Sequence, residues 1–302
     1  MPLDNLIAEV RNSYTLGLND ELPEALNFTP VKEKQRRNGT VIEGKYWLIN
    51  PNTDDVMGDC KGVYTPTNFS VLYDAYREGL ELSGLDLSEI EITIRAFRGM
   101  AAMRADVVLK KYDYERIVGE PTQMRMKLIN SHDLSFKYDV TAELMRLWCS
   151  NGCASIAESM SFVQKHTTYA SPEKIGDAVR TWPSMLEGQA KLLSHMQTVP
   201  VSRDRAIGFL SDNVAFRKTK LGVEPNKKEL TKLMDIWDSY KLGDNAYRLY
   251  NVLTHVSSHV EGRNESTDLT QKQVREEQRI EGIVSGDQFK NLIRYDDFAI
   301  AA

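Results

Sequence analysis

Cysteine is scarce in this chain. Three occur in 302 residues, an odd number without framework spacing, which excludes a disulfide-stapled scaffold and fits a reducing compartment. Proline (10) and glycine (18) are at ordinary levels, which excludes collagen-like and low-complexity sequence. No run reaches the roughly 18 consecutive apolar residues that a membrane helix needs, so no membrane partner is expected. The opening MPLDNLIAEVRNSY carries Asp4 and Glu9 and has no apolar h-region, so it does not read as a signal peptide. Phosphate loops of the G-x-x-x-x-G-K-[ST] or G-x-G-x-x-G type are missing, as are H-E-x-x-H and G-x-S-x-G. No repeat of fixed period occurs.

What is present is ordinary globular material. Hydrophobic residues make up 41% and charged residues 27%, enough to bury a core without covalent staples. The length allows one large domain or two modest ones. The net charge is −5, whereas nucleic-acid-binding proteins are usually basic overall. The acidic excess lies in residues 1–150, and residues 151–302 are neutral. Within the acidic half, Ile92 to Lys127 is an exception. Eight cations (Arg95, Arg98, Arg104, Lys110, Lys111, Arg116, Arg125 and Lys127) stand there against the acids Asp106, Asp113, Glu115 and Glu120. Such a segment is either a solvated face that its own acids neutralise or a local anion-binding surface.

Leu3, Ile7 and Val10 fall at helical spacing and predict a short helix over 3–14. A strand is expected over 38–50 after an Asn38-Gly39 turn, then a loop over 51–59, then a strand from Lys61 ending at Pro66. Thr67 or Asn68 caps a helix that Gly84 ends. Ile92, Ile94 and Ala96 then alternate with Thr93, Arg95 and Phe97. A second strand covers 101–112, and Met124, Met126 and Leu128 alternate with Arg125 and Lys127. After a turn at 131–135 the chain returns from Phe136. This pattern predicts an antiparallel sheet with one wet face, carrying Arg95, Arg125 and Lys127. From Ala154 the periodicity is helical: 154–166, 172–198 (kinked or broken at Trp182-Pro183), 202–216, 226–241, 244–260 and 269–284. Ser171 and Pro172 make a helix start. The fold class expected is α+β, with an antiparallel sheet in the N-terminal half packed with helices and a mostly helical C-terminal half. The β-rich part, 1–150, and the helical part, 151–302, are expected to form one continuous body.

Candidate chemistry is sparse. Cys149 and Cys153, with His132 and His166, have the residue types of a zinc site, but C-x3-C and two unspaced histidines fit no zinc motif. Cys149 with His166 lacks the orienting acid and oxyanion signal of a nucleophile pair. His255 and His259 are i, i+4 on an expected helix, without a third ligand nearby. Trp237, Tyr240, Tyr247 and Tyr250 read as core. The closing IRYDDFAIAA reads as a fraying end, or as an acidic tail that docks on a partner. No metal, cofactor or catalytic residue is expected, and a non-catalytic role is favoured over an enzyme.

Five stretches, in order across about 57–263, resemble the phage/plasmid-like family containing the domain of unknown function 932. They are MGDCKGVYTPTNFSVLYDAY at 57–76; MKLINSHDLSFKYDV at 126–140, with Asn130, Ser131, His132 and Asp133; LMRLWCSNG at 144–152, with Arg146, Cys149 and Asn151; KHTTY at 165–169, with Lys165, His166 and Thr167; and DNAYRLYNVLTHVSSHVEGR at 244–263, with Asn251 and Thr254. In the last, Val252 stands where the family usually has Ala. The resemblance implies a mobile-element protein of the host cytoplasm and supplies no catalytic residue. As residues, Asn130 to Asp133 are turn chemistry, and Asn151-Gly152 is a turn signal.

Two functions of different class follow. The first is single-stranded DNA binding or annealing in recombination or replication. Single-strand annealing proteins are similar in expected architecture, a basic sheet backed by helices and often assembled into homo-oligomeric rings. Arg95, Arg98, Arg104, Lys110, Lys111, Arg125 and Lys127 would track the phosphates, with Phe97 and Tyr112 as stacking platforms. The alternative is a non-catalytic module that binds a host or phage protein.

Overall fold

The computed structural model describes residues 13–146, 161–164, 171–219, 222–259 and 269–294. The helix expected over 3–14 lies mostly outside them, and its last two residues begin a strand instead, β1 (Ser13–Leu16). An antiparallel ribbon follows, built from β2 (Val31–Arg37), β3 (Thr40–Ile49) and β4 (Val56–Lys61) in that order. Asn38 (φ 49°) and Gly39 (φ 80°) join β2 to β3. Two consecutive left-handed residues match the twist of a tight hairpin, which is why Asn-Gly serves here. The sequence expectation lacks β2, because VKEKQRR has no apolar alternation. It also places the third strand too late, since β4 begins inside the segment read as loop.

Asn68 opens α1 (Phe69–Leu82), its side chain accepting from the Ser70 N–H at 2.9 Å. Gly84, at φ 73°, leads the chain away. Period-two alternation then gives β5 (Ile90–Phe97) and β6 (Ala102–Asp113). After the single turn of α2 (Glu115–Val118) come β7 (Thr122–Ser131) and β8 (Tyr138–Arg146). Residues 161–164 form β9 (Ser161–Gln164), not the helix expected over 154–166. These strands make a six-stranded antiparallel sheet in the order β1-β5-β6-β7-β8-β9.

The C-terminal part is mainly helical: α3 (Pro172–Met196), α4 (Arg203–Asn213), α5 (Lys227–Ser239), α6 (Ala246–Ser258), α7 (Leu269–Val284) and α8 (Asp287–Ile293). α3 passes through Pro183 as one helix rather than breaking there. A hairpin absent from the sequence expectation, β10 (Phe216–Thr219) with β11 (Gly222–Pro225), separates α4 from α5. The fold class is α+β.

One face of the large sheet carries Ile92, Ile94, Met103, Ala105, Val107, Met124, Met126, Leu128, Val140 and Ala142. These join α1 and α3 in a core cluster whose members run from Leu22 to Ile293. The other face is polar, and α7 lies over it. Val274 of α7 packs with Phe97, Ala102, Ile129 and Phe136 in a small separate cluster. Among the described residues, no helix is long and apolar enough to cross a membrane.

Candidate functional site

The polar face of the sheet is where the structure collects the charges. Register sets Asp106 opposite Lys127 across β6 and β7, and Arg125 opposite Glu143 across β7 and β8. Six side chains close an alternating ring there. Arg104 holds Asp106 through two bonds, Nε–Oδ2 at 2.9 Å and Nη2–Oδ1 at 2.7 Å. Asp106 also lies 3.9 Å from Arg125. Arg125 donates to Glu143, and Glu143 also takes Lys127 at 2.8 Å. Lys127 lies 3.5 Å from Glu277, and Glu277 accepts from Arg104 Nη1 at 2.9 Å. Counting ring members alone, each cation meets two anions and each anion two cations.

All six are buried, from 0% exposed for Arg104 to 9% for Glu277. Ions removed from water must be matched closely or their desolvation is not offset. Burial alone would push the Asp106 carboxyl up, but Arg104 and then Arg125 hold it far below the usual carboxylate range. Burial opposes charge on Lys127 too, and Glu143 and then Glu277 hold it above the usual lysine value. The wet, basic face expected from alternation is therefore a dry and balanced one. The strands are adjacent and the cations do converge, but Glu143 and α7 supply acids that no local pattern announces.

Of the five remaining cations of that segment, four also face acids, and Arg116 has no ion pair among the described residues. Lys110 pairs with Glu91 at 2.9 Å and Lys111 with Glu89 at 3.0 Å, all four exposed. Arg98 pairs with Asp133, and Arg95 stands 3.8 Å from Asp106 at the edge of the ring. Phe97 is buried. Tyr112, half-buried, offers its hydroxyl oxygen to the Asp86 N–H at 2.9 Å.

Two of the motif stretches meet in space. His132 stacks on Phe69, with ring centroids 3.7 Å apart, and tilts against Phe28. The Tyr64 hydroxyl donates to the His132 carbonyl at 3.2 Å. A Cβ on Gly58 would come within 3.2 Å of Asp133 Cα, so glycine permits this approach. Asn130 is fully buried. Asn251 and Thr254 lie inside α6, where the Asn251 amide donates to the Tyr247 carbonyl at 2.7 Å and Thr254 to the Asn251 carbonyl at 3.3 Å. Cys149, Asn151, Cys153, His166, Thr167 and the closing tail from 295 lie outside the described residues. His255 and His259 stack at 3.9 Å, and the Tyr240 hydroxyl bonds His255 Nδ1 at 3.1 Å. Among the described residues, no three metal-binding side chains group together.

Sequence reasoning missed the cations of the ribbon. Lys34, Arg36, Arg37, Lys45 and Lys61 are all exposed there, and none has an ion pair among the described residues. Lys45 and Lys61 are cross-strand partners. Trp47, 39% exposed, shares their face one rung along, between Glu33 and Asp59. The signal was visible: β2 holds four cations in seven residues and runs into an Asn-Gly turn.

A family model described as "Domain of unknown function (DUF932)" matches residues 93–280. No curated protein matches the chain, and no solved structure does.

Proposed function

The chain belongs to the family of the domain of unknown function 932, and from that premise we propose that it is a non-catalytic nucleic-acid-binding protein that engages single strands through the β2–β4 ribbon. One observation carries the reading. Five exposed cations, none with an ion pair among the described residues, lie along one ribbon in a chain of net charge −5. Such cations displace the counterions condensed on a phosphate chain, and Trp47 offers a platform on which a base can stack. The ribbon precedes the residues matched by the family model, so the reading rests on the ribbon itself and not on that match. A cytoplasmic role in recombination or replication of a mobile element fits such binding.

The test is fluorescence anisotropy with a labelled single-stranded oligonucleotide at low and at physiological salt. Binding should weaken as salt rises, with a log–log slope of about −0.7 for each phosphate neutralised. Lys34→Glu, Arg36→Glu and Arg37→Glu together should remove it while leaving the fold intact, because exposed charges contribute little to stability. Binding that ignores salt, or survives the triple substitution, rejects the reading.

Protein docking on the same ribbon is the second reading. Val31 (51% exposed) and Val56 (57%) flank Ile49 in one rung beside Trp47, an apolar strip that fits a protein partner. Loss of a partner on Trp47→Ala, with DNA affinity unchanged, would favour it.

A further inference from the structure

Five members of the buried ring belong to three adjacent strands, and only Glu277 comes from outside the sheet. The sheet positions its own cations. Two hydrogen bonds that Arg104 donates to Asp106 fix its guanidinium, and Glu143 fixes Lys127. Arg104 Nη1 and Lys127 Nζ are thereby aimed at one spot, where the Glu277 carboxylate sits at 2.9 and 3.5 Å. A guanidinium and an ammonium held in register are the groups that bind a phosphate. Without Glu277, the ring would hold three cations against two anions, with Arg95 at its rim.

We infer that the sixth place of the ring is a phosphate-binding site, occupied in this structure by the chain's own Glu277. The inference rests on the nucleic-acid reading for its main source of phosphate, a single-strand backbone, and free inorganic phosphate is the other source of the same chemistry.

The docking of α7 is uneven in a way that suits an occupant that can be exchanged. Its C-terminal half is anchored in the main core by Ile280 and Val284, whereas Gln273, Val274 and Glu277 hold its N-terminal half to the sheet. Its acids also crowd those of β8. Burial raises the Glu281 carboxyl, Lys127 opposes that rise, and the charges of Glu143, Asp139 and Glu277 add to it. Lifting the first three turns would withdraw Glu277 from the ring and uncover Arg104 and Lys127.

Three measurements test this. The first compares single-stranded DNA affinity of the wild type and Glu277→Gln at one salt concentration. The variant removes a built-in competitor and should bind about tenfold more tightly. The second is hydrogen exchange on the wild type, which needs no variant to fold. Amides of residues 270–278 should lose protection when the oligonucleotide binds. The third is melting with inorganic phosphate in place of chloride, which should raise the Tm of Glu277→Gln and leave the wild type unmoved. Equal affinities together with unchanged α7 protection in the DNA complex would overturn the site while leaving the ribbon reading in place. If neither protein binds DNA, the nucleic-acid reading falls. A phosphate-dependent Tm in Glu277→Gln alone would then keep the site for free phosphate, and no such shift would reject both.

Discussion

Arg104 and Glu277 are 173 residues apart in sequence and 2.9 Å apart in space. The bond ties the central strand β6 to a helix near the far end of the chain, at a point closed to water. It also leaves each partner dependent on the other, because a buried ion that loses its counter-ion keeps its desolvation cost and loses the compensation.

Arg125→Met should therefore destabilise the protein by about 3–5 kcal/mol, since Glu143 would keep only Lys127. Arg125→Met with Glu143→Leu removes one charge of each sign and should recover most of that loss. Urea denaturation of the two variants is the measurement. A double variant as unstable as the single one would show that the pair adds net stability rather than balancing itself.

Asp139 lies beside the ring without belonging to it. Burial raises its carboxyl above the usual range, against the Thr141 hydroxyl that donates to it and against Lys127. A raised folded pKa means that the native state holds this proton better than the unfolded chain does. Ionising Asp139 therefore costs stability from about pH 4 upward. Asp139→Asn keeps an acceptor for Thr141 and should raise Tm at pH 7, with the gain vanishing near pH 4. A gain independent of pH would point to packing instead.

His255 has the opposite linkage. Burial and then His259 lower it from 6.5 to about 4. Between those values the unfolded chain binds the proton and the native chain does not, so stability is lost as pH falls through the window. The Tyr240 hydroxyl and His259 are the polar groups seen against it. His255→Phe should reduce the drop in Tm between pH 7 and pH 5. An unchanged drop would place the sensitivity elsewhere.

Gly79 of α1 and Gly176 of α3 mark a close helix crossing. A Cβ on Gly79 would fall 2.6 Å from Ile175 Cγ2, and one on Gly176 would fall 3.0 Å from the Gly79 carbonyl oxygen. Gly79→Ala should cost about 1–3 kcal/mol through overpacking. Gly188, also in α3, meets nothing within 4 Å, and Gly188→Ala should instead stabilise by about 0.5–1 kcal/mol. Thermal melts of both variants check the contrast.

Much of the architecture was legible because period and punctuation agreed. Asn68 and Gly84 bracket α1, and the apolar stripe over 269–284 coincides with α7. The alternation through Ile92 to Leu128 placed Arg95, Arg125 and Lys127 on one face correctly. What covers that face was not legible. A helix such as LTQKQVREEQRIEGIV shows a polar side that reads as solvated, and nothing local marks Glu277 as facing a sheet. β9 escapes the sequence reading because Ser161 to Gln164 is too short to show a period of its own. β2 was missed because its charges hide a strand that backbone pairing alone defines.

The ring also sets an order of assembly. β5 to β8 pair with sequence neighbours, so the meander needs only short loops to close. Its charge balance cannot be completed that way. As the chain leaves the ribosome, Arg104, Arg125 and Lys127 precede Glu277 by more than a hundred residues, and domains fold as units during synthesis. Until α7 emerges, the nascent sheet presents one cation more than its own acids can match, open to water and to any polyanion nearby. Closure of that face is a late event in the life of each molecule.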